Sequence, residues 1–147
     1  MKPFSFKLDS VLNYRNYLEK TAQSDLFNAR NEYERKEKEI ERLTGKRMEM
    51  AKECSNEGIQ GIDVSLYRIY RTFLKKLDLD LERAHMELKI QEKKVKDKEA
   101  ALKEKSIKKK TLESLKDLQL QKHMRELERE EQKVMDELAV LNGGRGI

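Results

Sequence analysis

Pro3 is the only proline in the chain, and the glycines fall in three places: Gly45, the pair Gly58 and Gly61, and the tail Gly143, Gly144 and Gly146. Proline and glycine are the residues that most often interrupt regular backbone. Two long tracts are therefore free to run as helices. In the first, a seven-residue step from Leu8 meets Arg15, Ala22, Ala29, Lys36, Leu43 and Met50, and one from Leu12 meets Glu19, Leu26, Tyr33, Ile40, Arg47 and Cys54. The two series alternate by four and three, and most members are apolar, which is the spacing of a coiled-coil seam.

The second tract repeats the pattern with Leu74, Leu81, Leu88, Val95 and Leu102 beside Tyr70, Leu77 and Ala84. Beyond Leu102 a later series, Leu120, Leu127, Val134 and Leu141, sits four residues out of step, and such a stutter predicts local unwinding of the supercoil. Residues 55–63, with two glycines among small polar residues, predict a turn, and Asp63 or Ser65 can cap the helix that follows. Gly45 has no turn signal beside it and costs about 1 kcal/mol against Ala, which a long helix tolerates. The expected fold is all-α, an antiparallel two-helix coiled-coil hairpin with unequal helices. It forms a single unit over residues 1–147, with a helix over about 5–54, a turn at 55–63, a helix over about 64–141 and a flexible tail at 142–147.

Charged residues make up 41% of the chain and aromatics 6%, with no Trp. That leaves too little apolar surface for a layered core, and about half the residues are Ala, Glu, Lys, Leu or Arg, as in long helices. The periodic apolar spacing argues against disorder despite the charge. Lone Cys54 has no internal disulfide partner. The start lacks the apolar run of a signal peptide, and no stretch is long and apolar enough to span a bilayer. The expectation is a soluble intracellular protein.

The predicted helices differ in length, roughly 70 Å against 117 Å at 1.5 Å per residue. Reversal near Gly58 and Gly61 sets Leu8 beside about residue 110 and leaves the last thirty or so residues without a partner in the hairpin. That overhang carries Leu112, Leu115, Leu118, Leu120, Met124, Leu127, Val134, Leu138 and Leu141. An apolar stripe left in water calls for a binding surface or for a second copy of the chain.

Lysines crowd residues 93–110, with Asp97, Glu99 and Glu104 against them. Such a stripe suits an acidic protein, an anionic membrane or phosphates, or is simply a solvated helix face; without interleaved exposed aromatics it is weak support for nucleic acid, which is not expected. Tyr67, Tyr70 and Phe73 cluster near the start of the second helix with Leu66, Ile69, Leu74 and Leu77. This is more apolar material than one seam buries: either Tyr67, Phe73 or both face outward as interface anchors, or they pack over the turn.

Nothing predicts catalysis. His85 and His123 stand far apart without an i, i+4 metal partner, Cys54 has no nearby His, and no glycine-rich phosphate loop occurs. A two-helix structure offers little shelter for an active site, so no catalytic residue, metal or cofactor is expected.

Two local patterns carry a family resemblance. The opening Phe4-x-Phe6-x-Leu8-x-x-Val11-Leu12-x-x-Arg15, followed by Glu19, Ala22 and Leu26, resembles the start of the flagellar export protein FliJ family. Residues 131–139, Glu-Gln-Lys-x-Met-Asp-Glu-Leu-Ala around Met135, resemble its closing segment. The resemblance implies a soluble component of the bacterial flagellar type III export apparatus. It further implies a rod like the central stalk of rotary ATPases, which enters the export ATPase ring, stimulates it and also engages the export gate and escort chaperones. It places Phe4, Leu8, Leu12, Arg15, Leu127, Gln132, Met135, Asp136 and Leu138 at the ATPase-facing end and Tyr70, Phe73 and Leu77 at the gate contact. Gly45 and Met50 stand where the family pattern leads one to expect bulkier polar or aromatic residues. The implied location is the cytoplasm, peripherally at the inner face of the cell membrane through the apparatus. Alternative readings are a self-associating structural coiled coil, a stalk of a virulence-type secretion system, and a basic nucleic-acid or membrane-surface binder.

Overall fold

The computed structural model describes residues 2–145. Two helices account for nearly all of them, α1 (Asp9–Gln60) and α2 (Val64–Arg145), of 52 and 82 residues. The chain is thus an all-α helical hairpin with unequal helices. Its residues group into two compact units, Ala22–Leu102 and Met1–Thr21 with Lys103–Ile147.

In the Ala22–Leu102 unit the seven-step positions form the interface. Ala22, Leu26, Leu43, Cys54 and Leu77 are buried, and Ala29, Tyr33, Lys36, Ile40, Arg47, Met50, Tyr70, Leu74, Leu81, Ala84, Leu88, Val95 and Leu102 are half-buried. Leu77 is the least exposed, at 3%, and burying such a side chain stabilises the fold by about 2 kcal/mol. Gln91, the next step after Ala84, is buried too; its Nε2 donates to the Ala29 carbonyl at 3.1 Å. Ion pairs flank the seam: Arg30 with Glu99 at 3.2 Å, Lys36 with Glu87 at 3.5 Å, and Arg47 with Asp78.

The turn is shorter than the sequence suggests. Rather than ending near Cys54, α1 continues through Gly58 to Gln60, and residues 61–63 make the reversal. Extending a helix already nucleated costs little, so two small residues do not stop it. Gly61 does, with φ of 87° in the left-handed region that ends helices. Asp63 then precedes α2, and its carbonyl accepts the Tyr67 N–H at 3.0 Å.

In the other unit, Asp9 stands beside Lys116 at 2.9 Å and Glu19 beside Lys109 at 3.2 Å. Leu8 therefore lies level with residues near 117, not 110, because a three-residue turn in place of nine moves every partner on α2 toward the C-terminus. Helix α1 begins at Asp9, not near residue 5. Residues 2–6 are non-helical, Phe6 is buried and Phe4 half-buried. Covering two phenylalanines outweighs one more exposed turn of helix.

The expected stutter does not affect the paired face. Lys109, Lys116 and His123 are half-buried and continue the step of Leu102, with Lys105 and Leu112 completing the pattern. Lysine stems cover apolar surface while their heads reach acidic partners on α1, so polar residues hold the register. Leu120 and the leucines beyond it occupy a neighbouring face. The segment 142–145, expected as a flexible tail, is helical in continuity with α2; Gly146 and Ile147 lie outside the described residues.

Candidate interaction surfaces

From Glu128 to Gly144 every side chain of α2 is exposed, and Leu127 is half-buried. Leading into and along this stretch, Leu120, Met124, Leu127, Val134, Leu138 and Leu141 recur at steps of three, four and seven, which sets them along one side of the helix. Val134, Met135 and Leu138 are 55%, 65% and 52% exposed. Leu127, Val134, Met135 and Leu138 line a shallow groove with Glu130 and Glu131. Glu131 interrupts the apolar series between Met124 and Leu138, and Glu128, Asp136 and Glu137 add to the negative charge. Gln132 donates to Asp136 at 3.0 Å, holding that carboxylate along the helix surface.

Phe4 lies against the His123 ring, with centroids 5.6 Å apart. The N-terminal segment thus reaches α2 just before the exposed stretch, in a hollow formed with Gln119 and Glu126. Leu8 is exposed, and Leu12 and Arg15 are half-buried against α2. Of the residues that the resemblance places at one end, Phe4 and Leu127 come close in helix level. Leu127, Gln132, Met135, Asp136 and Leu138 share the exposed stretch, whereas Arg15, level with about residue 110, lies some 35 Å of helical rise from Met135.

In the Ala22–Leu102 unit, Phe73 is half-buried, with the Lys46 ammonium 5.4 Å from its ring centroid, a cation–π geometry. Arg68, Ile69, Thr72, Phe73 and Lys76 line a mostly apolar hollow on α2. Tyr70 is half-buried; desolvation first, then Glu57 and Glu53, push its phenol above the ordinary value. Leu77 is buried in the seam. Tyr67, Leu66 and Ile69 are exposed. The open space around Gly45 and the half-buried Met50 leave that side of α1 with little surface relief.

Sequence reasoning missed Phe6 and Gln91 as buried residues, and the contact of His123 with Phe4. Gln91 was reachable by extending the Tyr70 series one step. Phe6 left no helical signal, because its segment is non-helical.

Among the described residues no group of His, Cys, Asp and Glu is arranged to hold a metal ion, and no helix is long and apolar enough to cross a membrane. No curated protein and no solved structure matches the chain. A family model does, described as flagellar FliJ protein and matched over residues 4–146. That span is nearly the whole sequence, and the chain belongs to the FliJ family.

Proposed function

We propose that this protein is a soluble, non-enzymatic component of the bacterial flagellar export apparatus, acting as a central-stalk-like coiled coil that binds and stimulates the export ATPase ring and couples it to the export gate. Membership of the family supports the place in the apparatus. The finer reading is carried by the exposed stretch of α2, where leucines, valine and methionine recur along one side with no α1 residue to cover them. Water-exposed apolar stripes of this length mark contact surfaces. The N-terminal segment around Phe4 adjoins that surface, and Phe73 with the Ile69 hollow provides a separate surface for the gate. The chain works in the cytoplasm, peripherally at the membrane through its partners, with export chaperones as further partners.

The groove is less suited to parallel pairing with a second copy of the chain. In a parallel pair each Glu131 would face its twin in the middle of the apolar series, and like charges so placed are destabilising. A partner carrying a cation there meets the same residue favourably. Titration of the purified chain into the export ATPase tests the reading: the hydrolysis rate rises and the two proteins co-elute. An unchanged rate with separate elution contradicts it.

A further inference from the structure

The charge of the chain is concentrated in one place. Residues 2–21 and 103–126 carry twelve Lys and Arg against six Asp and Glu, a surplus larger than the net charge of +5 of the whole protein. Within this segment the surplus is sorted between the two flanks of the seam. In antiparallel pairing, residues just before the seam positions of one helix lie beside those just before the seam positions of the other. Along the N-terminal segment and α1 that flank is Lys7, Val11, Tyr14 and Leu18; on α2 it is Glu104, Lys108, Thr111, Leu115, Leu118, Lys122 and Arg125. All are exposed except Leu18, which is half-buried. Its one acid, Glu104, pairs with Lys108 at 2.9 Å. Lys7, Lys122 and Arg125 make no ion pair with any described residue. The opposite flank mixes Lys20, Lys103 and Lys110 with Asp9, Glu113 and Asp117, and gathers no comparable field.

We propose that this flank binds directly to an anionic phospholipid surface. Basic heads alternating with exposed Tyr14, Val11, Leu115 and Leu118 are what a headgroup interface accommodates: lysine and arginine meet lipid phosphates while tyrosine and leucine enter the acyl boundary. A nucleic acid backbone uses the charge but has no use for exposed aliphatic side chains between the cations. The surface is distinct from the stripe beyond Leu127, so the free protein can sit at a membrane without its ATPase partner.

The test is co-sedimentation of the full chain with vesicles of phosphatidylcholine alone or with phosphatidylglycerol, and a parallel titration with duplex DNA, at about 0.15 M salt. The phosphatidylglycerol vesicles bind at least about tenfold more tightly than the neutral ones, each basic side chain at an anionic surface contributing roughly a factor of five. The triple variant K7Q/K122Q/R125Q loses at least about thirtyfold. Y14S/L118S also weakens binding, and K20Q/K103Q/K110Q on the opposite flank changes it far less. Circular dichroism of each variant matches the parent. Equal losses from the two triple variants, equal binding to neutral vesicles, or DNA binding as tight as vesicle binding and indifferent to Y14S/L118S would each overturn the proposal.

Discussion

Lys109 Nζ lies 3.2 Å from Glu19 Oε1, and this is the least exposed ion pair among the described residues. Glu19 occupies a seam position where the heptad pattern otherwise places apolar side chains, and the Ser106 hydroxyl followed by the Lys109 ammonium holds its carboxyl below the ordinary carboxylate range. A carboxylate whose folded pKa is lowered contributes stability above its unfolded value, and this is lost as pH falls through the folded one. Melting temperature therefore declines on acidification below about pH 4.3, and less so in Glu19→Gln. Lys109→Met leaves Glu19 without its cation and lowers the melting temperature, whereas the pair E19L/K109L restores it, because an apolar pair suits a seam as well as a buried ion pair. Thermal melts across pH check both effects.

Leu77→Ala removes the least exposed apolar side chain. It lowers unfolding stability by about 2–4 kcal/mol. Tyr67→Ala, on the exposed side of the same helix, changes stability by less than about 0.5 kcal/mol. Urea unfolding followed by circular dichroism separates the two, and comparable losses would mean that the seam has a different phase.

Much of this architecture is legible in the sequence because coiled-coil burial is periodic. The two seven-step series of the first tract name fourteen positions, and Leu8, just before α1, is the one among them that is exposed. What the pattern does not encode is where a long helix stops. Gly58 looks like punctuation but stays helical, while Gly61 ends α1 through its left-handed backbone, a difference of local geometry and not of residue type. The resulting shift in pairing explains why Leu8 meets residues near 117. Lys109 reads as a member of a solvated lysine run, although its stem completes the seam. The candidate contact residues past Leu127 are legible as leftover apolar spacing, and Leu77, which the seven-step series sets in the seam, is buried there.

Glu131 predicts the sign of the partner. Glu131→Lys weakens capture of the export ATPase at least about tenfold, since truncating or reversing a charge opposite a desolvated cation costs 2 kcal/mol or more. Glu131→Gln costs less, and isothermal titration measures both. A tighter complex with Glu131→Lys would place an acidic group opposite.

Stimulation of the export ATPase by Leu127→Asp, Met135→Asp and Leu138→Asp is the decisive measurement. Met135 and Leu138 lie past the covered part of α2 and Leu127 stands half-buried at its edge, so helical content is kept and the unfolding free energy of the Met135 and Leu138 variants stays within about 0.5 kcal/mol of the parent. The predicted result is loss of stimulation by each variant with the fold intact. Full stimulation by all three would mean that the exposed stripe is not where the ATPase is met.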